Sequence, residues 1–308
     1  MVKKKKKNLT SILDLTVSEI NQIFSLTRKM KSKKSFTTAL KGKILGLVFQ
    51  KPSLRTRISF EAGMYQLGGR VVYLGPGDAG LDKREPVEDI ARILSGYLDG
   101  IVARTFSQQT VDNLAEFSTI PVINGLSNLL HPCQVLSDIY TIKEKKKTLK
   151  GLKVAFIGDG NNVCRSLIYA AAKLGINLTI VVPKGYEPGR DVVKKADSEL
   201  MKSGSKITVT NNPFRAINNA DIIYTDVWVS MGDENSRAQR LKDFKPYQLN
   251  SVLFKKAKPD CLVMHCLPAH RGEEITAEII DGPNSIVFDQ AENKLHVQKA
   301  ILLMLLNT

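Results

Sequence analysis

Five consecutive residues, Ser53-Leu54-Arg55-Thr56-Arg57, carry two hydroxyls and two guanidinium groups. They follow an apolar run, Ile44 to Phe49, that reads as a buried strand, and they open a segment with helical spacing at Leu54, Ile58, Ala62 and Tyr65. Ser53 is the natural N-cap of that helix, which leaves the first-turn amide hydrogens pointing outward. Arginines sit poorly at the positive end of a helix dipole, at a cost on the order of a few tenths of a kcal/mol each. An anion placed among them reverses that cost. Backbone amides, a hydroxyl cap, a second hydroxyl and two guanidiniums at a strand's carboxyl end describe a phosphate cradle.

Other strand ends carry polar residues of different character. Arg104 follows the strand Gly100 to Ala103, and His131-Pro-Cys-Gln134 lies beyond the short strand Pro121 to Asn124. Gly158-Asp-Gly-Asn-Asn162 follows Lys153 to Ile157, and Asp226-Val-Trp-Val-Ser230-Met231-Gly232 follows Ala220 to Thr225. His265-Cys266-Leu267-Pro268 closes the strand Cys261 to His265. The first half thus offers cations and amide donors, and the second a carboxylate, an amide and a thiol. Two different substrates fit that split.

Positioning these residues takes a recognisable scaffold. An opening helix is expected over residues 9 to 31, with Thr16-Val-Ser-Glu19 as a capping box. A strand Arg70 to Leu74, a polar Gly-rich segment Gly75 to Lys83, and helices Pro86 to Tyr97 and Gln109 to Phe117 complete the first half. After a lysine-rich connector the alternation restarts, with a helix Val163 to Leu174 and strands at Asn177 to Val182 and Ile207 to Thr210. Strands alternating with helices imply parallel sheets covered on both faces. The fold class is therefore α/β, with two domains, each a parallel β-sheet flanked by helices, and the active site expected in the cleft between them. The expected boundaries are 1–142 and 143–290, with residues 291–308 a terminal helix, strongest over Lys294 to Leu306, that packs back on the first domain.

Composition narrows the class further. The 308 residues, 43% of them hydrophobic, suffice for two cores. No apolar run reaches the roughly 18 residues a membrane helix needs, and Asn8 to Asp14 is too polar for a signal-peptide core, so a cytoplasmic protein with no membrane partner is expected. The four cysteines, Cys133, Cys164, Cys261 and Cys266, lack paired spacing and read as reduced thiols. The net charge of +15 invites a nucleic-acid reading. Its clusters, Lys3–Lys7 in a tail expected to fray, Arg28–Lys34 and Lys143–Lys150, have no interleaved aromatics to stack bases, and they read as solvated surface with no nucleic-acid partner.

Ser53-Leu-Arg-Thr-Arg57 and His131-Pro-x-Gln134 resemble the two signatures of the aspartate and ornithine carbamoyltransferases. Asp226-x-x-x-Ser230-Met-Gly232 and His265-Cys-Leu-Pro268 are similar to the ornithine branch, since the aspartate branch carries arginine-containing motifs at these places. The resemblance runs from about residue 9 to the end. It implies that Ser53, the Leu54 amide, Arg55 and Thr56 hold the phosphate of carbamoyl phosphate, with Arg57 bracing the loop. Arg104 and His131 are implied to donate to the carbamoyl oxygen, where attack builds negative charge, and Gln134 to meet the carbamoyl nitrogen. Cys266, Leu267 and Lys294 are implied to line the same group. Asn162, Asp226, Ser230 and Met231 are implied to grip the α-amino and α-carboxylate groups of L-ornithine. Cys266 with Asp226 is implied to stand beside the δ-amine as it loses its proton. The catalytic set is then Cys266, Arg104 and His131, no cofactor or metal is required, and a homotrimer or a multiple of trimers is implied.

Alternatives come from the same residues. Putrescine or an acylated ornithine is a possible acceptor for such a transferase, although Asp226 and the Ser-Met-Gly segment favour a free α-amino acid. Gly158-Asp-Gly160 hints at a nucleotide-binding dehydrogenase, yet Val163 stands where the third glycine belongs and Pro183-Lys184 ends the next strand without an acidic residue. A zinc site from His131, Cys133, His265 and Cys266 lacks ligand-pair spacing. Cys133 and Cys164 read as filler, and His270, Arg271 and His296 receive no role. Three positions depart from the usual family pattern: Gly80 for a glutamine, Lys294 for an arginine, and Gln50 for a glutamate.

Overall fold

The fold is taken from a computed structural model, which describes residues 6–32, 38–78, 80–81 and 85–307. Lys3 to Lys5, Lys33 and Lys34 of the second basic cluster, and part of the Gly75–Lys83 segment lie outside the described residues. The chain divides into two compact units, Met1–Tyr140 with Asn293–Thr308, and Thr141–Glu292.

The first unit contains α1 (Val17–Ser32), β1 (Ile44–Phe49), α2 (Leu54–Gln66), β2 (Arg70–Leu74), α3 (Val87–Tyr97), β3 (Gly100–Arg104), α4 (Gln108–Phe117), β4 (Val122–Leu126) and the start of α5 (Pro132–Lys146). Its four strands are all parallel, in the order β2-β1-β3-β4. Residues 45–49 of β1 and all of β3 are buried, because a parallel sheet covered on both faces needs near-continuous apolar strands. Val48, Ile101, Ala103 and Val122 pack with Val87, Ile90, Val111 and Leu114 of α3 and α4 in one core.

The opening segment differs from the expected single helix. Leu9 pairs alongside Ile123, its amide bonded to the Val122 carbonyl at 2.9 Å and its own carbonyl accepting from Asn124 at 2.8 Å. Ser11 then caps a 3-10 turn at Ile12–Asp14, and only at Thr16 does the helix begin. There the capping box closes as expected: Glu19 Oε2 accepts from the Thr16 amide at 2.8 Å and Thr16 Oγ1 from the Glu19 amide at 3.2 Å. Lys6 and Lys7 are not frayed. Lys6 Nζ donates to the carbonyls of Ala115 and Ser118, and Lys7 pairs with Glu19.

The second unit contains β5 (Lys153–Ile157), α6 (Asn162–Leu174), β6 (Asn177–Val181), α7 (Arg190–Ser203), β7 (Ile207–Thr210), α8 (Pro213–Ile217), β8 (Ile222–Thr225), α9 (Arg237–Phe244), α10 (Ser251–Phe254), β9 (Leu262–His265) and α11 (Ala277–Ile280). Its five strands are also parallel, ordered β7-β6-β5-β8-β9. Ala155, Ile157, Ile223 and Val263 from the sheet pack with Ile217, Leu249, Leu253 and Ile279. The last helix, α12, runs Val287–Leu306 and starts seven residues before the strongest part of its apolar pattern.

The order in which strands are added reverses within each sheet, and that fixes where a ligand can bind. In the first unit β1 is flanked by β2 on one side and β3 on the other; in the second, β5 is flanked by β6 and β8. The loops after β1 and β3, and those after β5 and β8, therefore diverge and leave a crevice at the carboxyl ends. Ser53–Thr56 and Arg104 stand at the first switch point. Asn161–Asn162 and Asp226 stand at the second.

Candidate active site

At the first switch point, Ser53 caps α2, its Oγ accepting from the Thr56 amide at 3.2 Å. The first turn of α2 holds no acidic residue, so its positive end is not neutralised from within the helix. Arg57 turns away to pair with Glu61 at 3.0 Å and to lie over the Tyr73 ring, 3.7 Å from its centroid. Arg55 and the first-turn amides are left to define the cradle. Gln50 ties the two diverging loops together: its amide donates to the Arg104 carbonyl at 2.7 Å and its Oε1 accepts from the Phe106 amide at 2.9 Å.

Arg104 is aimed by a break in register. Ala103 pairs with Asn124 and Arg104 with Leu126, which leaves Gly125 as an extra residue in β4. A Cβ at Gly125 would fall 2.9 Å from Val102 Cγ1 and 3.2 Å from the Ala103 carbonyl, so the bulge needs a glycine. The Arg104 side chain is 8% exposed, and its Nε has no hydrogen-bond partner among the described residues. Burial, then repulsion from Arg55, lowers its pKa to about 10. It stays charged at neutral pH, and no carboxylate among the described residues forms an ion pair with it.

His131 precedes α5, with Pro132 at the first helical position as expected. Burial, then the charges of Lys294 and Arg104, hold its imidazole well below the usual histidine pKa. A neutral imidazole can donate one N–H to an oxygen without adding a charge. Lys294, on α12, donates to Gln134 Oε1 at 3.0 Å and to Thr56 Oγ1 at 3.3 Å, and Gln134 Nε2 donates to Asp138 at 2.9 Å. Thr56, Gln134 and Lys294 are thereby joined, with Arg55, Arg104 and His131 in the same electrostatic field. These groups can hold a dianion and stabilise an oxyanion next to it.

The second switch point is built around Asp226, which is 5% exposed. Its Oδ1 accepts from the Val227 amide at 2.8 Å and from the Cys266 thiol at 2.9 Å, and its Oδ2 accepts from Asn161 Nδ2 at 2.8 Å. Asn161 also caps α6, accepting from the amides of Val163 and Cys164 at 3.0 and 3.1 Å. Asn162, the residue expected here from sequence, is the first residue of α6 and half-buried. Ser230 and Met231 lie in the loop after β8, Ser230 half-buried and Met231 exposed. Arg240 secures the far end of that loop, its Nε donating to the Trp228 carbonyl at 2.6 Å and its guanidinium paired with Asp159.

Behind Cys266, His265 is fully buried with Glu274. Its Nε2 lies 3.0 Å from Glu274 Oε1, and its Nδ1 accepts from the Leu267 amide at 2.9 Å, so the ring is the Nε2–H tautomer. Leu267 itself lies in the left-handed region, φ +57°. The Asp226, His265 and Cys266 ligand atoms lie within 4.8 Å of one another. Both His265 nitrogens are engaged, so metal binding there would have to break one of these bonds. Cys133 and Cys164 are buried, and burial pushes Cys133 up to about 12 and Cys164 further, in keeping with inert packing.

A model of the family described as "Aspartate/ornithine carbamoyltransferase, carbamoyl-P binding domain" matches residues 7–144, and one described as "Aspartate/ornithine carbamoyltransferase, Asp/Orn binding domain" matches residues 150–305. The chain belongs to the aspartate/ornithine carbamoyltransferase family. It is 51% identical over 304 residues to the ornithine carbamoyltransferase of Syntrophus aciditrophicus, covering 98% of this chain and 100% of the relative. It is 48% identical over 303 residues to the relative from Pyrococcus furiosus named "Ornithine carbamoyltransferase, anabolic", covering 97% and 96%. A solved ornithine carbamoyltransferase structure from P. furiosus superposes with a TM-score of 0.95 at 47% identity, covering 99% of each chain. The protein is thus a carbamoyltransferase enzyme with two parallel α/β sheets.

For a carbamoyltransferase, the glycines of Gly158-Asp-Gly160 need a reason other than a dinucleotide. A Cβ at Gly160 would lie 2.4 Å from Pro188 N and 2.6 Å from the Tyr186 carbonyl oxygen, and the Gly160 amide donates to that carbonyl at 2.9 Å. The chain's own 186–188 segment fills the space a pyrophosphate would need. Sequence reasoning missed Asn161 and Glu274. Asn161 was legible as a cap before Val163, but its second bond, to a residue 65 positions away, was not.

Proposed function

We propose that this carbamoyltransferase transfers the carbamoyl group of carbamoyl phosphate to the δ-amine of L-ornithine, giving L-citrulline and phosphate. The observation that carries the reading is the Cys266 thiol on the Asp226 carboxylate at 2.9 Å, an arrangement suited to a cationic amino-acid side. Ser53, the Leu54 amide, Arg55 and Thr56 hold the phosphate. Arg104 and neutral His131 donate to the carbamoyl oxygen, Gln134 and Lys294 flank the carbamoyl group, and Leu267 and Cys266 complete its surroundings. Asn162, Asp226, Ser230 and Met231 hold the α-amino and α-carboxylate groups of ornithine.

The δ-amine, having lost its proton beside Cys266 and Asp226, attacks the carbamoyl carbon. The new C–N bond places negative charge on the oxygen, which the Arg104 and His131 donors offset. Collapse breaks the C–O bond to phosphate as the new nitrogen passes its extra proton to the departing phosphate oxygen, and the leaving group departs with its remaining charge held by Arg55 and the α2 amides. The segment Asp226 to Asp243 closes over the amino acid. Lys294 keeps the charge of the usual arginine without its two-pronged donor, and Gly80 can offer only its backbone.

The protein acts as a homotrimer or a multiple of trimers in the cytoplasm, in the biosynthetic direction of arginine metabolism. Leu54, Ile58 and Tyr65, on one face of α2, are 75%, 53% and 59% exposed, an apolar stripe that association would cover. No helix among the described residues is long and apolar enough to cross a membrane, and none of the four cysteines is joined in a disulfide among the described residues. The name of the P. furiosus relative supports the biosynthetic direction. Citrulline formation by purified protein given carbamoyl phosphate and ornithine tests the proposal; absence of product with folded protein refutes it.

A further inference from the structure

Gln134 and Asp138 lie one turn apart on α5, 3% and 0% exposed. The two ends of a glutamine amide have nearly the same shape, so only their neighbours decide which end points where. Here both neighbours are one-sided. The Asp138 carboxyl accepts from Gln134 Nε2 at 2.9 Å, and the Lys294 amino group donates to Gln134 Oε1 at 3.0 Å. An amide oxygen accepts two hydrogen bonds, and Lys294 uses one. The second lone pair of Oε1 is then presented as an acceptor within the Thr56, Lys294 and His131 group.

We propose that Asp138 is a positioning residue that locks the Gln134 amide with its oxygen toward the substrate, and so selects a carbamoyl phosphate, which has an N–H to give, over an acyl phosphate, which does not. The inference rests on the carbamoyl-phosphate reading of this half-site. The discrimination follows from an asymmetry in hydrogen bonding. A buried acceptor left without a donor weakens binding, and a site built to bond an N–H rejects the analogue lacking it. Acetyl phosphate places a methyl group where carbamoyl phosphate places NH2. It keeps the phosphate and the carbonyl, so the cradle and the Arg104 and His131 donors cannot tell the two apart. Without Asp138, the Gln134 amide is held from one side only, and it can turn enough to lose the contact.

The test compares inhibition of citrulline formation by phosphonoacetamide, which keeps the NH2, with inhibition by acetonylphosphonate, which carries a methyl in its place, using inorganic phosphate as a control for the cradle. The wild-type enzyme is expected to favour phosphonoacetamide by about 5- to 150-fold. Asp138→Ala should bring that ratio close to one with phosphate inhibition little changed, and Asp138→Asn, whose own amide oxygen can still accept from Gln134, should restore most of it. A folded Asp138→Ala enzyme with the wild-type ratio overturns the proposal. So does a wild-type ratio near one, which needs no variant to fold. A wild-type protein that forms no citrulline counts against the functional reading itself, whereas an active enzyme with an unchanged ratio counts only against Asp138.

Discussion

Asn161 joins two tasks in one side chain: its oxygen caps α6, and its nitrogen donates to Asp226 Oδ2 at 2.8 Å. The end of one strand thereby fixes the orientation of a carboxylate at the end of another. Cys266 approaches the same carboxylate from β9, so three strand ends converge on one group.

Asn161→Asp separates the two tasks. Aspartate caps helices as well as asparagine does, so α6 should stay capped, and any loss of melting temperature reports the new repulsion at Asp226. A second carboxylate beside Asp226 replaces a donor with a like charge, and kcat/KM for ornithine should fall about 10- to 100-fold, with the KM for carbamoyl phosphate little changed. A folded variant with unchanged ornithine kinetics would count against the assigned geometry.

Arg104 offers a test through stability. Its folded-state pKa of about 10 lies below that of a free guanidinium, so at neutral pH the folded protein carries a charge that burial and Arg55 disfavour. That penalty is present below pH about 10 and relieved only as pH rises through that value. Arg104→Gln should therefore leave the ligand-free melting temperature unchanged or higher, while turnover drops about 100- to 1,000-fold. Carbamoyl phosphate should raise the melting temperature of the wild type more than that of the variant. Equal shifts would remove Arg104 from the binding site.

Much of this scaffold was legible in the residues. β1, β2, β5 and β7 occupy the expected positions because continuous apolar runs between glycine or charged boundaries have few other places to go. Ser53 could be read as a cap because a hydroxyl ahead of a helical pattern has a local consequence, the 3.2 Å bond to the Thr56 amide. Leu9 could not be assigned to a bridge with Ile123, since that pairing depends on residues more than 100 positions away. The same limit hid the Glu274 partner of His265 and the Asp226 partner of Asn161. Local chemistry is written in the order of residues; a buried polar network is set by packing.

His131 gives a pH prediction. Its folded-state pKa is lowered, so the folded protein resists protonation where the unfolded chain, near 6.5, accepts it. Stability linked to this residue is complete above about pH 6.5 and is lost as pH falls from there toward the folded value. The His131 resonance should show no titration near 6.5 by NMR, and kcat/KM for carbamoyl phosphate should show no inflection from this group there. Lys294→Gln removes the second largest cause of the depression and should move the His131 titration upward. An ordinary histidine titration in the wild type would contradict the buried cationic site.

The most direct measurement is kcat/KM for carbamoyl transfer to L-ornithine, putrescine and Nα-acetylornithine side by side at saturating carbamoyl phosphate. Asp226 and the Ser230-Met231 segment are assigned to a free α-amino and α-carboxylate group, so ornithine should exceed both others by about 100-fold or more, with citrulline as product. A higher value for putrescine or the acylated amino acid, or no carbamoylated product from ornithine, would contradict that assignment.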